Sequence, residues 1–194
     1  LDMAGASHYR SKTNMPSMSP ETFHANVDKG YHYQYMHNTL QLNQGNAKFV
    51  EIANLSGIAK TDWSWSLLMN DFDNDSHEDI FITNGIKRDI RNNDYIENTK
   101  KRIVKTGSIG DILSLVQSIP SNPLPNYLYI NDGNLHFEDR ADKVGLGEPG
   151  FSNGAAYADL DGDGDLDLQG LLKGLDVLSS LTDNLGEVLG VHRH

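Results

Sequence analysis

The chain has 194 residues, carries 27 acidic against 16 basic side chains for a net charge of −11, and contains no cysteine. This acidic balance argues against partners that are nucleic acids or anionic membrane surfaces. The absence of cysteine excludes disulfide and thiol chemistry. No apolar run approaches the length that spans a membrane, while the chain is long enough for one good hydrophobic core.

Residues 1–30 are predicted to be a loop-rich lead-in, because they show no clear periodicity. The stretch SPETFHANV within them has the character of a short helix. The first residues, LDMAGASHYR, have neither the apolar core of a signal peptide nor an initiator methionine, which indicates a piece of a longer or processed protein.

Residues 31–85 predict a first unit of four short strands: NTLQLN, KFVEIA, SWSLLMNDF and DIFITN. The first two strands alternate apolar and polar residues, and the NQGN between them is a hairpin turn signal. The preceding YHYQYMH alternates tyrosine and histidine. We interpret it as an aromatic strand that packs on a neighbour, in preference to a metal-binding strand.

The third and fourth strands of this unit are joined by DFDNDSHED, residues 71–79. Carboxylates stand at positions 1, 3, 5 and 9 of this loop, and position 7 offers its backbone carbonyl, which is the spacing of a calcium loop. The residues concerned are Asp71, Asp73, Asp75, His77 and Asp79. Position 6, where such a loop bends, is Ser76, and a left-handed backbone costs serine on the order of 1 kcal/mol.

Residues 86–122 interrupt this pattern and predict a helical insert. RDIRNNDYIENTKKRIVK and DILSLVQSI have helical spacing, and three prolines follow them. We expect the insert to lie over one end of the domain, where binding loops commonly sit.

Residues 123–170 predict a second unit with the strands NYLYIN, HFEDRA, GAAYADL and DLDLQ. Its third and fourth strands are joined by DLDGDGDLD, which supplies Asp159, Asp161, Asp163, Asp165 and Asp167. Gly164 occupies the bend at position 6, and Gly170 stands where an EF-hand would need a glutamate. Because glycine adopts the bend without strain, we expect the second loop to bind calcium more tightly than the first.

The two units are copies of one repeat, 88 residues apart, from Asn38 and Asn126 through to Asp71 and Asp159. Four antiparallel strands per repeat are typical of a propeller blade. The predicted fold is therefore mainly β, with two four-stranded propeller-type blades that carry calcium loops and a helical insert between them. Leucines at helical spacing in residues 171–194 predict a C-terminal amphipathic helix, unless this tail is a non-native end.

The motifs N-x-L-x-x-N-x-G-N, F-x-E/D-x-A and D-x-D-x-D-x-x-x-D-I/L resemble the FG-GAP or VCBS repeat, over roughly residues 10 to 168. That family comprises calcium-binding propeller blades, as in the integrin α-chain head and in cartilage-acidic-protein-like bacterial proteins. HYQYMHNTLQLN and TDWSWSLLMNDFDND resemble the large secreted or lipid-anchored VCBS proteins of Bacteroidetes-type bacteria. The resemblance implies two calcium sites, one in each loop, with Asp71, Asp73, Asp75 and Asp79 in the first and Asp159, Asp161, Asp163 and Asp167 in the second.

Two classes of function remain open from the sequence. The first, which we favour, is a calcium-stabilised module that binds a protein or glycan ligand, or acts as a scaffold, in an extracellular, cell-surface or periplasmic setting. The second is a calcium-dependent hydrolase of esters or lactones. No nucleophile-elbow, zinc-protease or phosphate-loop motif occurs, so we predict no catalytic residues and no organic cofactor.

The sequence leaves open how a complete propeller would form, because a propeller has four to eight blades and this chain has two predicted ones. We expect one of three solutions: the chain is part of a longer propeller, it associates with itself through uncovered blade faces, or its tail covers them.

Overall fold

The computed structural model describes residues 1–13, 20–33, 35–107 and 112–172, with only the backbone path for residues 169–172. Four helices and eight strands lie in this part of the chain. The helices are α1 (His8–Thr13), α2 (Pro20–Asp28), α3 (Asn93–Thr106) and α4 (Ile112–Gln117). The strands are β1 (Gln41–Asn43), β2 (Phe49–Glu51), β3 (Ser64–Asn70), β4 (Asp79–Asn84), β5 (Tyr127–Asn131), β6 (Phe137–Asp139), β7 (Ser152–Ala158) and β8 (Asp167–Leu172).

Each of the eight strands that the repeat predicts is present, and the repeat is visible in their bounds. The bounds of β6, β7 and β8 lie 88 residues after those of β2, β3 and β4. The exception is β1, which begins two residues later than its counterpart β5 would require. The alternation of apolar and polar residues thus gives strands at matching positions in both copies of the repeat.

The predicted pairing of these strands into two four-stranded blades is wrong. The described residues contain one four-stranded antiparallel sheet, of order β3-β4-β5-β6, flanked by the two-stranded sheets β1-β2 and β7-β8, and no closed propeller. The central sheet therefore combines the last two strands of the first repeat with the first two of the second. Its middle register pairs Ile80 with Tyr129, Phe81 with Leu128 and Ile82 with Tyr127.

The central sheet is the middle layer of the molecule, because β4 is buried along its whole length. Successive side chains of a strand point to opposite faces. Accordingly, Phe81 belongs to one apolar cluster, and Ile80 and Ile82 belong to another. Leu168 of β8 packs in the first cluster, while Ala53 and Ile58, which follow β2, pack in the second.

The insert between β4 and β5 contains α3 and α4, and a bridge between Ile86 and Asn122 joins its two ends. Asn92 caps the start of α3 by accepting a hydrogen bond from the Tyr95 N–H, and Gly107 ends it with a left-handed backbone at φ 65°. Because the two ends of the insert meet at this bridge, the insert separates β4 from β5 in the sequence without interrupting the sheet. No described helix has both the length and the apolar character needed to cross a bilayer.

Two further predictions concern the segments before β1 and after β8. The predicted aromatic strand at residues 31–37 is wrong, since the described residues there form no strand. A strand needs a neighbour for its N–H and C=O groups, and none is paired with this segment. The C-terminal helix is predicted over residues 171–194. Residues 171 and 172 belong to β8, and the remainder of the predicted helix lies outside the described part of the chain.

Candidate metal centres

Both predicted calcium loops are hairpin connections at the same end of adjacent sheets. The first joins β3 to β4 and the second joins β7 to β8. The bend expected at position 6 is left-handed in both, with φ 70° at Ser76 and 96° at Gly164. Serine therefore adopts the strained conformation that the sequence predicts for the first loop, at a cost of about 1–2 kcal/mol.

Each loop brings three carboxylates together. Oxygen atoms of Asp71, Asp73 and Asp79 lie within 4.8 Å of one another, and those of Asp159, Asp161 and Asp167 do the same. These are positions 1, 3 and 9 of the two loops. Three carboxylate oxygens at this separation repel each other, and they are the ligands that a hard cation such as Ca²⁺ takes. The two triads could therefore each hold a metal ion.

The carboxylate at position 1 is held in place by backbone N–H groups of its own loop. Asp71 accepts hydrogen bonds from the N–H of Asp75 at 3.0 Å and from that of Ser76 at 2.8 Å. In the second loop, Asp159 accepts from Gly162, Asp163 and Gly164 at 2.7, 3.1 and 3.0 Å. The loop backbone thus wraps around its first aspartate, which fixes the direction of the triad.

Asp75 and Asp163, at position 5, are not part of the triads. Each accepts the N–H two residues further on, at 2.8 Å from His77 and 2.9 Å from Asp165. The His77 ring lies against Gly133, where a Cβ would come within 2.5 Å of Nε2. The metal-ligand roles of Asp75 and Asp163, and of the His77 and Asp165 carbonyls, stay predictions.

The two triads differ strongly in burial. Asp79 is fully buried and Asp73 is 9% exposed, whereas Asp159 and Asp161 are exposed. Burial raises the pKa of Asp79 to about 6, against the opposing effect of the Asn131 and Phe72 N–H groups. Burial also raises the pKa of Asp73, helped by the charges of Asp75 and Asp71. The first triad is a set of carboxylates held together at a cost that a bound cation would offset.

One atom of the first triad has no partner at all. Asp73 Oδ1 is buried and makes no hydrogen bond. A buried acceptor that is left unsatisfied costs about 1–3 kcal/mol, and more when it is charged. This observation is independent of the loop spacing, and a bound cation would satisfy this oxygen atom.

Asp79 of the first triad is held by one residue of its own loop and by one residue outside it. Asp79 Oδ2 accepts from the Phe72 N–H and Oδ1 from the Asn131 N–H, both at 2.9 Å. Asn131 ends strand β5, which belongs to the second repeat. The two loops also touch directly, because Asn74 Nδ2 donates to Asp165 Oδ1 at 2.8 Å. Spacing within one loop carries no signal of these contacts between repeats.

A groove of about 940 Å³ lies apart from the metal loops. Tyr33 and Tyr35, in the segment that the sequence wrongly predicts as a strand, line it with their rings stacked at 6.3 Å and 14°. Both rings are about two-thirds exposed, at 64% and 63%. Asp2, Glu51 and Asn54 add polar groups to the same groove.

Comparison with known families bears on the second repeat. The matching model describes an FG-GAP-like repeat and covers residues 109–168, which include β5 to β7 and the second loop. Residues 109–168 are an FG-GAP-like repeat. The first loop, residues 71–79, lies outside this match but has the same offset, strands and triad positions. No curated protein matches the chain at a significant level.

Proposed function

We propose that the chain is a calcium-binding module of the FG-GAP and VCBS type that binds or scaffolds ligands at the bacterial cell surface. The single observation that carries the metal-binding part is the buried, unpartnered Asp73 Oδ1 inside a triad of carboxylates. The second triad repeats the arrangement in the FG-GAP-like repeat itself. A site with only oxygen ligands suits Ca²⁺, which tolerates irregular coordination, better than Mg²⁺, which demands a near-ideal octahedron.

The role of the cation in this proposal is structural. Asp79 is fully buried and accepts hydrogen bonds from the Phe72 N–H of its own loop and from the Asn131 N–H of β5. A catalytic cation needs an open coordination position for its substrate. Enclosure by Phe72 and Asn131 therefore supports a cation that braces the loop, so the hydrolase is the less favoured alternative.

Titration of chelator-treated protein with Ca²⁺ is expected to show two sites by calorimetry. Asp73→Asn should remove one site and Asp161→Asn the other, because each removes the charge of one triad. The double variant is the control and should take up no calcium. Absence of calcium uptake by the unaltered chain would overturn the proposal. Turnover of esters or lactones that stops with chelator would favour the hydrolase instead.

The binding part of the proposal rests on the groove beside Tyr33 and Tyr35. Exposed, nearly parallel tyrosine rings offer flat apolar surfaces with polar tips. The carboxylates and the amide beside them can accept and donate hydrogen bonds to hydroxyl groups. This combination of a flat apolar face and a polar rim fits a sugar ring, and we propose a glycan as the ligand.

Screening against immobilised glycans tests this assignment. Binding of the unaltered chain should fall at least tenfold in Tyr33→Ala/Tyr35→Ala, which corresponds to the loss of about 1.4 kcal/mol. The matched control is Tyr9→Ala, which removes a tyrosine that is 69% exposed and outside the groove. Equal glycan binding by both variants would contradict the assignment. An extracellular or periplasmic location, where calcium is near millimolar, belongs to the same proposal.

A further inference from the structure

The candidate calcium loop of the first repeat lies against the turn that joins β5 to β6. Positions 7, 8 and 9 of the loop all contact this turn. The His77 ring lies against Gly133. Asn131 donates twice, from Nδ2 to the Glu78 carbonyl at 3.2 Å and from its N–H to Asp79 Oδ1 at 2.9 Å. Because the turn belongs to the second repeat, the first candidate metal centre lies where the two repeats meet.

We propose that Asn131 is a positioning residue of the first calcium site, and that a cation bound there fastens the β5–β6 hairpin to the loop of the preceding repeat. This role rests on the proposed calcium binding. It adds to the site a residue that stands 52 positions beyond Asp79 and outside the loop motif. The hydrogen-bond partners of metal ligands commonly set metal affinity, and losing one costs about 10- to 100-fold.

The pairing of β4 with β5 brings Asn131 to this position. Carried two residues beyond its last pair, the β4–β5 register sets Glu78 opposite Asn131. Neighbouring residues of a strand turn their N–H groups to opposite sides. The Asp132 N–H is bonded to the His136 carbonyl, within the hairpin. The Asn131 N–H therefore faces the loop and is not part of the β5–β6 ladder.

Asn131 and the loop together fix both oxygens of the Asp79 carboxylate. Oδ2 accepts from the Phe72 N–H and Oδ1 from the Asn131 N–H. An ionised carboxylate has about four acceptor positions, so its oxygens can still bind a cation. Asp73 Oδ1, which is buried and has no hydrogen-bond partner among the described residues, belongs to the same triad as Asp79 and Asp71. Without the Asn131 bond, the Asp79 carboxylate can turn away from the triad, and the site loses a ligand that is already in place.

The side chain of Asn131 also shapes the turn itself. Its Oδ1 accepts from the Gly133 N–H at 3.1 Å, and Gly133 has a left-handed backbone at φ 76°, which glycine adopts without strain. In the β1–β2 hairpin, the repeat counterpart Asn43 makes the same bond to Gly45, at 2.8 Å and φ 81°. Among the described residues, this second turn hydrogen-bonds neither calcium loop. Asn43 is therefore a matched position for testing Asn131.

Calorimetry in two single-site backgrounds tests the effect of Asn131 on affinity. Asp161→Asn leaves the first site, and Asp73→Asn leaves the second. In the first background, Asn131→Pro removes the N–H that Asp79 accepts but no backbone bond of the β5–β6 ladder, and it should weaken calcium binding about 10- to 100-fold. Asn43→Pro, at the matched position of the other hairpin, should leave the affinity unchanged. In the second background neither substitution should change the affinity, which separates positioning from general damage to the fold.

Amide exchange measured by NMR tests the same coupling without altering the hairpin, and it decides the question if Asn131→Pro does not fold. Coupling is reciprocal, so a cation at the first site should favour the docked hairpin by the factor that the hairpin adds to the affinity. In the unaltered chain, calcium should therefore slow the exchange of the Asn131 N–H by about tenfold or more relative to that of Asn43. Asp73→Asn should abolish this slowing, whereas Asp161→Asn should retain it.

The outcomes separate this role of Asn131 from calcium binding itself. An unaltered chain that takes up no calcium overturns the proposed function, and the role of Asn131 with it. Two sites that both bind calcium, with the first unaffected by Asn131→Pro, overturn the role of Asn131 alone. An Asn131 N–H whose exchange calcium slows no more than that of Asn43 does the same.

Discussion

Replacing Arg10 by methionine is expected to lower the free energy of unfolding by about 3–5 kcal/mol, because it leaves a buried carboxylate without its partner. Arg10 belongs to α1 and reaches Asp62, 52 residues further along the chain, with Nη2 at 2.6 Å and Nε at 2.9 Å. Asp62 is 6% exposed and therefore almost cut off from water. Methionine keeps much of the side-chain volume, so the loss reports the charge and its hydrogen bonds.

The same guanidinium approaches a second buried carboxylate, which makes the expected loss larger. Arg10 Nη1 lies 3.9 Å from Asp89, which is fully buried. Asp89 keeps its bonds from Asn122 Nδ2 and the Arg91 N–H. Among the described residues, Asp62 keeps only a long bond from the Ala6 N–H. We therefore expect Arg10→Met/Asp62→Asn to recover part of the loss.

Urea unfolding of three variants measures this effect. Lys101→Met removes a cation whose partner Glu97 is 61% exposed, and such a surface pair contributes about 0–1 kcal/mol. It is the control for deleting a positive charge from an acidic chain. If Arg10→Met costs no more than Lys101→Met, the lead-in helix is not anchored through this ion pair.

The strands could be predicted from the sequence because their signal is local. Alternation and turn residues lie within each strand and its hairpin, and the 88-residue repeat checks one copy against the other. Their pairing could not be predicted in this way. Whether β4 pairs with β5 depends on contacts across residues 85–126, a stretch that includes α3 and α4, and both pairings are compatible with the same alternation.

The Arg10–Asp62 ion pair and the conformation of residues 31–37 also could not be predicted from the sequence. Arg10 and Asp62 stand in segments without periodicity, so nothing in the sequence links them. The tyrosines of residues 31–37 alternate like a strand, but alternation describes the faces of a strand and not the presence of a neighbour. This segment has no neighbouring strand, and the rings of Tyr33 and Tyr35 are exposed.

The metal centres also have one part that could be predicted from the sequence and one part that could not. Positions 1, 3 and 9 of each loop come from spacing alone, and the structure brings these three carboxylates together in both loops. The first triad is the more buried one, and its Asp79 accepts a hydrogen bond from Asn131 of the neighbouring repeat. This burial opposes the prediction that the first site is the weaker. Strain at Ser76 weakens that site by about 1–2 kcal/mol, while burial strengthens the attraction of a cation for its carboxylates. The order of the two affinities stays a prediction.

Asp73→Asn is expected to change stability in opposite directions with and without calcium. In chelator, the substitution removes a charge that burial and its neighbours Asp71 and Asp75 destabilise. The free energy of unfolding should then rise by about 1 kcal/mol, because the repulsion within the triad is relieved. For a chain of this size the melting temperature should increase by about 2–4 °C.

In saturating calcium the same substitution removes a ligand of the first site. A cation at a hundred times its dissociation constant stabilises a protein by about 2.7 kcal/mol, and the variant should lose most of this for one of its two sites. The variant is therefore expected to melt at a higher temperature than the unaltered chain in chelator and at a lower temperature in calcium.

Asp161→Asn is the matched control, because Asp161 holds the same loop position but is exposed. Water already screens its charge, so its removal should lower the melting temperature in calcium and leave it nearly unchanged in chelator. If Asp73→Asn is destabilising in both conditions, Asp73 has a fixed structural partner in the metal-free protein, and its buried charge is not held in place for a cation.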